Sequence, residues 1–396
     1  MGFKVAIGKS QKKDLLEAIQ EATKACFSQI PIHEISMALI FSSPEFAVQS
    51  LLKHIQPNLK ANTPLLGCSA IHLITGSGIQ KEGLVIVLLS LPNTKIACGF
   101  TDVTPYKNAF SSGQELGTRL LANFQDYRRE LCLLISDGLS EYTPELIQGL
   151  QSIIGRSFPF FGGGSSDNFE FKRTSQYYGE NIFTKNTVAA LLGGKLSYGI
   201  GIRHGWKPLG KIRTVTESKA NILRKIDDKK ASQLYEDYFA KTLSELKKEI
   251  TYINVLYPIG IYLEGENEYL LRNIVSLNDD GSITTQGSIP SGSAIRLMIS
   301  TKESCLEAAR QAALQVQHAM HYKKICFALA ISSASRVRVL GRAVDKEVKA
   351  IKEVLGENTP LAGFYSYGEY APLGATTYHG QTYSHNQTIA IVGIGE

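Results

Sequence analysis

One pattern recurs three times in this chain: an apolar strand closing on a serine, a helix, and a short strand that stops at a glycine. The opening strands are Met37-Ala38-Leu39-Ile40-Phe41-Ser42, Leu131-Cys132-Leu133-Leu134-Ile135-Ser136 and Phe327-Ala328-Leu329-Ala330-Ile331-Ser332. Their unbroken apolarity predicts strands covered on both faces. Helical periodicity follows each, through Leu51, Leu52 and Ile55, through Leu146, Leu150 and Ile153, and through Val344, Val348 and Ile351. The glycines, Gly67, Gly162 and Gly363, come 25, 26 and 31 positions after the serines. That length suits a βαβ crossover, which joins parallel strands with a nearly fixed hand. A loop-like excursion then precedes another apolar strand, at 84–89, 188–192 and 389–394. The copies lie too far apart for a solenoid. The expected fold is α/β, with repeated βαβ units and mostly parallel strands.

Local signals refine this pattern. Ser43-Pro44-Glu45 and Thr143-Pro144-Glu145 read as helix starts with a hydroxyl N-cap and proline in the first turn. Between the second and third copies the character changes: 211–216 and 221–226 read as a strand pair, 231–246 as a helix, and 269–299 as β-rich with a turn at Asn278-Asp279-Asp280-Gly281. Ser300 and Glu303 predict a capping box for a helix reaching Met320. A division near 220–230 gives two expected domains, 1–225 and 226–396.

With 43% hydrophobic and 20% charged residues, the chain has the composition of a folded globular protein. The longest apolar run, 84–89, is far short of the roughly 18 residues that span a bilayer, so no membrane spanning is expected. The formal charge of +6 is spread along the chain without a basic stripe, which argues against nucleic acid. Six scattered cysteines without C-x-x-C argue against zinc ribbons and disulfides, and with no apolar leader at the start they point to a cytoplasmic setting. Gly205 to Lys211 has phosphate-loop spacing, but Ile212 stands where a metal-binding hydroxyl is needed. The eight histidines show no H-E-x-x-H, and the pair His318 and His321, three apart and so on one face of the expected helix, is a weak metal signal; the metal is left unassigned.

Several longer runs carry a resemblance. Leu66-Gly67-Cys68-Ser69, Phe161-Gly162-Gly163-Gly164-Ser165-Ser166-Asp167 and Arg203-His204-Gly205-Trp206 in the first half, and Gly363-Phe364-Tyr365-Ser366-Tyr367-Gly368-Glu369-Tyr370 with His385-Asn386-Gln387-Thr388 in the second, resemble the FIST domain family over nearly the whole chain. The resemblance implies two FIST-like halves packed together, in a sensory protein that binds a small ligand such as an amino acid or related metabolite. Some stand-alone bacterial members are similar to haem-based nitric-oxide sensors acting on a separate histidine kinase. With no residues left over for an output domain, signalling in trans is the expectation. Haem rests on the resemblance alone, with His33, His54, His72, His318, His321 and His379 as candidate ligands.

The expected ligand contacts sit at strand ends, where α/β sheets bind ligands. Gly162, Gly163 and Gly164 would let backbone approach a ligand, with Ser165 and Asp167 as polar partners; the alternative is a turn needing positive φ, capped by Asp167. Gly67, Cys68 and Ser69 follow the first crossover, Cys68 being either a nucleophile or a small buried thiol. Tyr365, Tyr367 and Glu369 alternate, so on an extended segment they share one face suited to a cationic group; the rival is an edge strand with its hydroxyls at the rim. His385 and Asn386 either touch ligand or fix the last excursion. An enzyme acting on a small metabolite remains the alternative to a sensor.

Overall fold

The computed structural model describes residues 2–102, 108–124, 127–266, 268–373 and 380–395. The first unit runs β1 (Lys4–Ser10), α1 (Leu15–Phe27), β2 (Met37–Ser42), α2 (Gln49–Ile55), β3 (Leu65–Ser69), the hairpin β4 (Leu73–Thr75) and β5 (Gly78–Gln80), and β6 (Leu84–Ser90). The second repeats it as β7 (Thr94–Asp102), α3 (Ala109–Ala122), β8 (Arg129–Ser136), α4 (Thr143–Ile154), β9 (Phe160–Gly164), β10 (Gln176–Tyr178), β11 (Asn181–Phe183) and β12 (Asn186–Gly194). The third opens with β13 (Ser197–Arg203) and is interrupted by an insertion: β14 (Lys207–Lys219), β15 (Ile222–Ile226), β16 (Lys229–Lys230), α5 (Gln233–Phe239), α6 (Leu243–Lys248), α7 (Ile250–Leu256), β17 (Ile259–Ile261), β18 (Leu270–Arg272), β19 (Ile274–Leu277), β20 (Ile283–Thr285) and β21 (Ala294–Ile299). It resumes as α8 (Lys302–Ala319), β22 (Ile325–Ser333), α9 (Ala334–Leu340), α10 (Asp345–Leu355), β23 (Leu361–Ser366), β24 (Glu369–Pro372), β25 (Thr382–His385) and β26 (Ile389–Gly395).

The long strands of each unit lie in one order: β1-β6-β2-β3, β7-β12-β8-β9 and β13-β26-β22-β23. The crossover pairs β2/β3, β8/β9 and β22/β23 are parallel, as the spacing predicts. The sheets are nonetheless mostly antiparallel, which corrects the expectation of mostly parallel strands. The last strand of each unit returns from a hairpin rather than through a helix, and inserts antiparallel between the first two.

The excursions are hairpins given away to a neighbour. β4-β5 extends the third sheet through β23, β10-β11 the first through β3, and β24-β25 the second through β9. The three sheets are therefore linked in a ring. A cut at 225/226 falls inside β15, and strands from both sides of it share sheets, so the two expected halves are interleaved in a frame of three units and an insertion.

Unbroken apolar strands are explained by what each face meets. Met37, Leu39 and Phe41 turn to a central core with Leu131, Leu133, Ile135, Phe327, Leu329 and Ile331. The alternate residues lie under helices: Ala38 and Ile40 with α1 and α2, Cys132 and Leu134 with α3 and α4, Ala328 and Ala330 with α8 and α10. Burial of each larger side chain contributes roughly 1.5–3 kcal/mol. The recurring glycine has a packing cause. A Cβ at Gly67, Gly162 or Gly363 would lie 1.8, 1.7 or 1.7 Å from the carbonyl oxygen of Ile40, Leu134 or Ala330 on the facing strand.

Four local expectations shift, the first being that α4 starts at Thr143 with Tyr142 at its N-cap, so the Thr143 hydroxyl does not cap it. Residues 44–46 form a short 3-10 turn, and the Ser43 hydroxyl accepts from Gly83 N instead of capping a helix. The 231–246 segment breaks at Ala240, whose φ of 51° ends α5. The capping box of α8 uses Thr301 and Ser304 in place of Ser300 and Glu303. Among the described residues, no helix is long and apolar enough to cross a membrane.

Candidate functional site

The three excursions cross where the strand ends meet. Ser166 N donates to Ser69 O at 3.0 Å, the Ser166 hydroxyl donates to Tyr365 O at 2.6 Å, and Tyr365 N donates to His72 O at 2.9 Å. Ser69 Oγ donates to Ser166 O and accepts from Ser175 N. These groups are buried and spent on one another. Gly162, Gly163 and Gly164 lie in the extended, buried strand β9, not in a glycine turn, and none has positive φ. Their missing side chains admit neighbours: a Cβ on Gly163 would meet Ile331 Cγ2 at 2.7 Å, and one on Gly164 would meet Gly138 Cα at 2.6 Å. Cys68 is buried in the central core beside Gly67, and burial pushes its thiol far above the usual range, which suits packing rather than nucleophilic attack.

Tyr365, Tyr367 and Glu369 diverge instead of sharing a face, because the chain turns between β23 and β24. The Tyr365 hydroxyl donates to Glu347 at 2.6 Å. The Tyr367 hydroxyl donates to Asp167 Oδ1 at 2.6 Å. Glu369 accepts from the Ser366 hydroxyl at 2.5 Å and from Thr388 N and Oγ1 at 3.1 and 2.6 Å. Burial lifts its pKa to about 7, and no cation pairs with it among the described residues. Asp167 is equally occupied, accepting from the backbone N–H groups of Glu170, Phe171, Lys172 and Arg173. Burial opposes its charge, but Tyr367 and these amides hold its pKa below the ordinary value. It thereby shapes the loop 167–173. Ser165 passes a chain of bonds from Gln176 Nε2 at 2.7 Å to Thr174 Oγ1 at 2.8 Å, and Thr174 donates to Asp137 Oδ1 at 2.6 Å.

The strand-end serines are equivalent, yet their partners differ. Ser42 bonds the Tyr177 hydroxyl at 2.7 Å, and Ser136 bonds the Tyr370 hydroxyl, each tyrosine arriving on a donated hairpin. In the third unit the hairpin presents Ile74 opposite Gly363, and Ser332 instead donates to Glu347 at 2.9 Å. Glu347 pairs with Arg336 at 2.6 Å, both essentially without exposure, and Arg336 also donates to His204 O and Cys305 O. The carboxylate at that strand end is thereby satisfied within the fold.

The second strand end is open. A cleft of about 760 Å³ lies between the loop Asp137–Pro144, the Phe171–Thr174 segment, the Tyr367–Gly368 turn and the insertion's Thr284–Gly287. An adjoining chamber of about 390 Å³ shares Gly138, Leu139, Phe171, Val275, Gln286 and Tyr367, and adds Asn254, Asn273, Ser333, Ser335 and Arg338. Phe171 stacks on Tyr367 at 4.9 Å, and the Arg338 guanidinium sits 4.1 Å from the Phe169 ring centre. Of the residues singled out in sequence, Tyr367 lines both spaces; Gly67, Cys68, Ser69, Gly162, Gly163, Gly164, Ser165, Asp167, Tyr365, Glu369, His385 and Asn386 line neither. Sequence reasoning missed Asp137, Asn273 and Gln286. Aligning the three echoes would have flagged Asp137, since Ser43 and Ser333 occupy the same place in the other units.

Comparison with known proteins decides the family. The FIST N domain profile matches residues 36–229 and the FIST C domain profile matches residues 231–372. The chain belongs to the FIST family. FIST domains are sensory, ligand-binding domains. A similar protein, described as uncharacterized, occurs in Methanocaldococcus jannaschii, 21% identical over 267 residues, covering 62% of this chain and 51% of the relative; this chain thus spans about half the relative's length. Solved structures with a similar outline include a cyanuric acid hydrolase (8% identity, TM-score 0.36, covering 99% of this chain and 100% of that one). A cyanuric acid hydrolase from A. caulinodans (10%, 0.35, 99% and 98%) and a chorismatase (7%, 0.36, 100% and 98%) resemble it to the same degree.

Within this FIST protein the run His385-Asn386-Gln387-Thr388 is a strut. His385 Nε2 bonds Ala371 O at 2.9 Å, and burial drives its pKa down to about 3, so the ring is neutral. Asn386 Oδ1 accepts from Asn273 N, and Gln387 Nε2 donates to Asn254 O and Asn273 Oδ1. Asn273 in turn donates to Gln286, which donates to Tyr367 O. The motif therefore ties the insertion to the cleft. The described lining residues of both chambers include none of the histidines considered as haem ligands; His379 lies outside the described residues.

Proposed function

We propose that this FIST protein senses a small polar metabolite of amino-acid-like size held in the cleft, and passes the signal in trans to a partner such as a histidine kinase. One observation carries the reading: the loop 169–174 that follows the signature 161–167, and the signature 363–372, converge with the insertion on one space that is partly apolar and partly polar. Because the insertion meets the three-unit body there, a ligand touching both Gln286 and the 138–143 loop would bias their relative position. The body–insertion contact is the element a partner would read. Cys68, the sequence's candidate nucleophile, is buried away from the cleft, which favours sensing over turnover.

A thermal-shift screen of amino acids, amines and carboxylates tests the proposal. A binder present at about 100 times its Kd adds about 2.7 kcal/mol of stability, and the compound should be recovered unchanged by NMR after prolonged incubation. Val275→Trp, filling the shared wall at an exposed position, should abolish the shift. Consumption of the compound would favour the enzyme alternative, and an unaltered shift in Val275→Trp would move the site elsewhere.

A further inference from the structure

Asp137 immediately follows the serine that closes β8 and lines the cleft while being 8% exposed. Its backbone N–H donates to Asn186 O at 2.9 Å, the bond that Ser43 N makes to Gly83 O and Ser333 N makes to Thr388 O. The three positions are thus equivalent in the fold. Two of them are serine, so the fold itself asks only for a small polar residue there.

The carboxylate of Asp137 is half used. Oδ1 accepts from the Thr174 hydroxyl at 2.6 Å and from Leu139 N at 3.0 Å. Among the described residues, nothing donates to Oδ2, and no lysine or arginine forms an ion pair with the group. With Oδ1 taken inside the fold and Oδ2 met by no protein donor, the carboxylate is held in a fixed direction beside the cleft, where water or a donor on a ligand completes it. The other buried carboxylates differ: Glu347 has its arginine, and both oxygens of Glu369 are taken by hydroxyls and an amide. Around Asp137 the cleft offers the aromatic residues Tyr142, Phe171, Tyr367 and Tyr370. Ring faces attract organic cations. Lys172, Arg173 and Lys185 stand exposed at the mouth, where solvent and salt screen them.

We propose that Asp137 is the recognition residue of the cleft and that it accepts from an ammonium or amidinium group of the ligand. The inference rests on the cleft being the ligand site and adds the chemical class. It moves to Asp137 the role that alternation in the sequence assigned to Glu369.

Two substitutions test it. Asp137→Asn keeps the Oδ1 acceptor and replaces Oδ2 by a donor; Asp137→Ser installs the residue of the equivalent positions. Both should fold; Asp137→Asn keeps an acceptor for Thr174 and Leu139 and should melt close to wild type, whereas Asp137→Ser gives those bonds up and should melt somewhat lower. Calorimetric titration would use benzamidine and putrescine, each against a neutral counterpart, benzamide and 1,4-butanediol. The wild type should prefer at least one cation by about tenfold or more, and both variants should lose that preference, as expected for a charge-assisted bond. Equal binding of cation and neutral compound, or an unchanged preference in both variants, overturns the inference. If the metabolite screen finds ligands blocked by Val275→Trp but indifferent to Asp137→Asn, this inference falls and the cleft reading stands. If nothing found is blocked by Val275→Trp, both fall.

Discussion

The second and third strand ends share one frame but treat their carboxylates differently. At the third, Ser332, Arg336, Glu347 and Tyr365 form a closed, buried network in which the ion pair is satisfied from all sides. At the second, Ser136 and Tyr370 close the strand, but the next residue, Asp137, keeps an oxygen toward a cleft that the insertion roofs. The repeat supplied the frame twice. What separates a structural carboxylate from an available one is whether the fold also supplies its partner.

The largest expected effect comes from breaking the closed end. Arg336→Met leaves Glu347 buried without its cation, which typically costs about 3–5 kcal/mol. Chemical denaturation should show that loss, whereas Asp137→Ser at the open end, which gives up hydrogen bonds from Thr174 and Leu139 but strands no buried ion, should cost clearly less. A comparable loss in both would show that the two ends are equally structural.

A smaller effect sharpens the comparison through pH. Glu369 keeps its proton in the folded chain up to about pH 7, while an unburied glutamate releases it near 4.5. Between those values the folded state binds more protons than the unfolded one. Stability from this group is therefore full below pH 4.5, declines as pH rises toward 7, and stays lost above it. Glu369→Gln should remove a decline on the order of 1–3 kcal/mol from the stability–pH curve. A variant curve parallel to wild type over that window would show that Glu369 ionises normally.

The smallest effect is local. Tyr367→Phe removes a hydroxyl that bonds Asp167 and keeps the ring stacked on Phe171. It should cost about 1.5–3 kcal/mol, the range for a hydrogen bond to a charged group, and it should loosen the 167–173 loop in hydrogen exchange. No change in exchange across that loop would mean that its four backbone bonds to Asp167 suffice.

Much of the frame was legible in sequence. The strand–helix–strand echo, the apolar runs buried on both faces and the parallel crossover pairs all follow from periodicity and spacing. The hairpin exchange was not, because Leu73–Gln80 pairs with β23, far along the chain, and no local signal names a partner. Antiparallel return of β6, β12 and β26 was hidden for the same reason. Glycine misled the reading at 162–164: close approach between strands and a flexible turn demand the same residue. Alternation misled it at Tyr365, Tyr367 and Glu369, since a period of two holds only while the strand stays straight. Asp137 carried a signal in the alignment of the echoes, where serine stands at both other copies.

The most direct test is a crystal structure of the protein with the tightest-binding compound from the metabolite screen. The account predicts the compound in the cleft between the 138–143 loop and Gln286, with a nitrogen in hydrogen-bonding reach of Asp137 Oδ2. A compound bound at another surface, with only water beside Asp137, would contradict it.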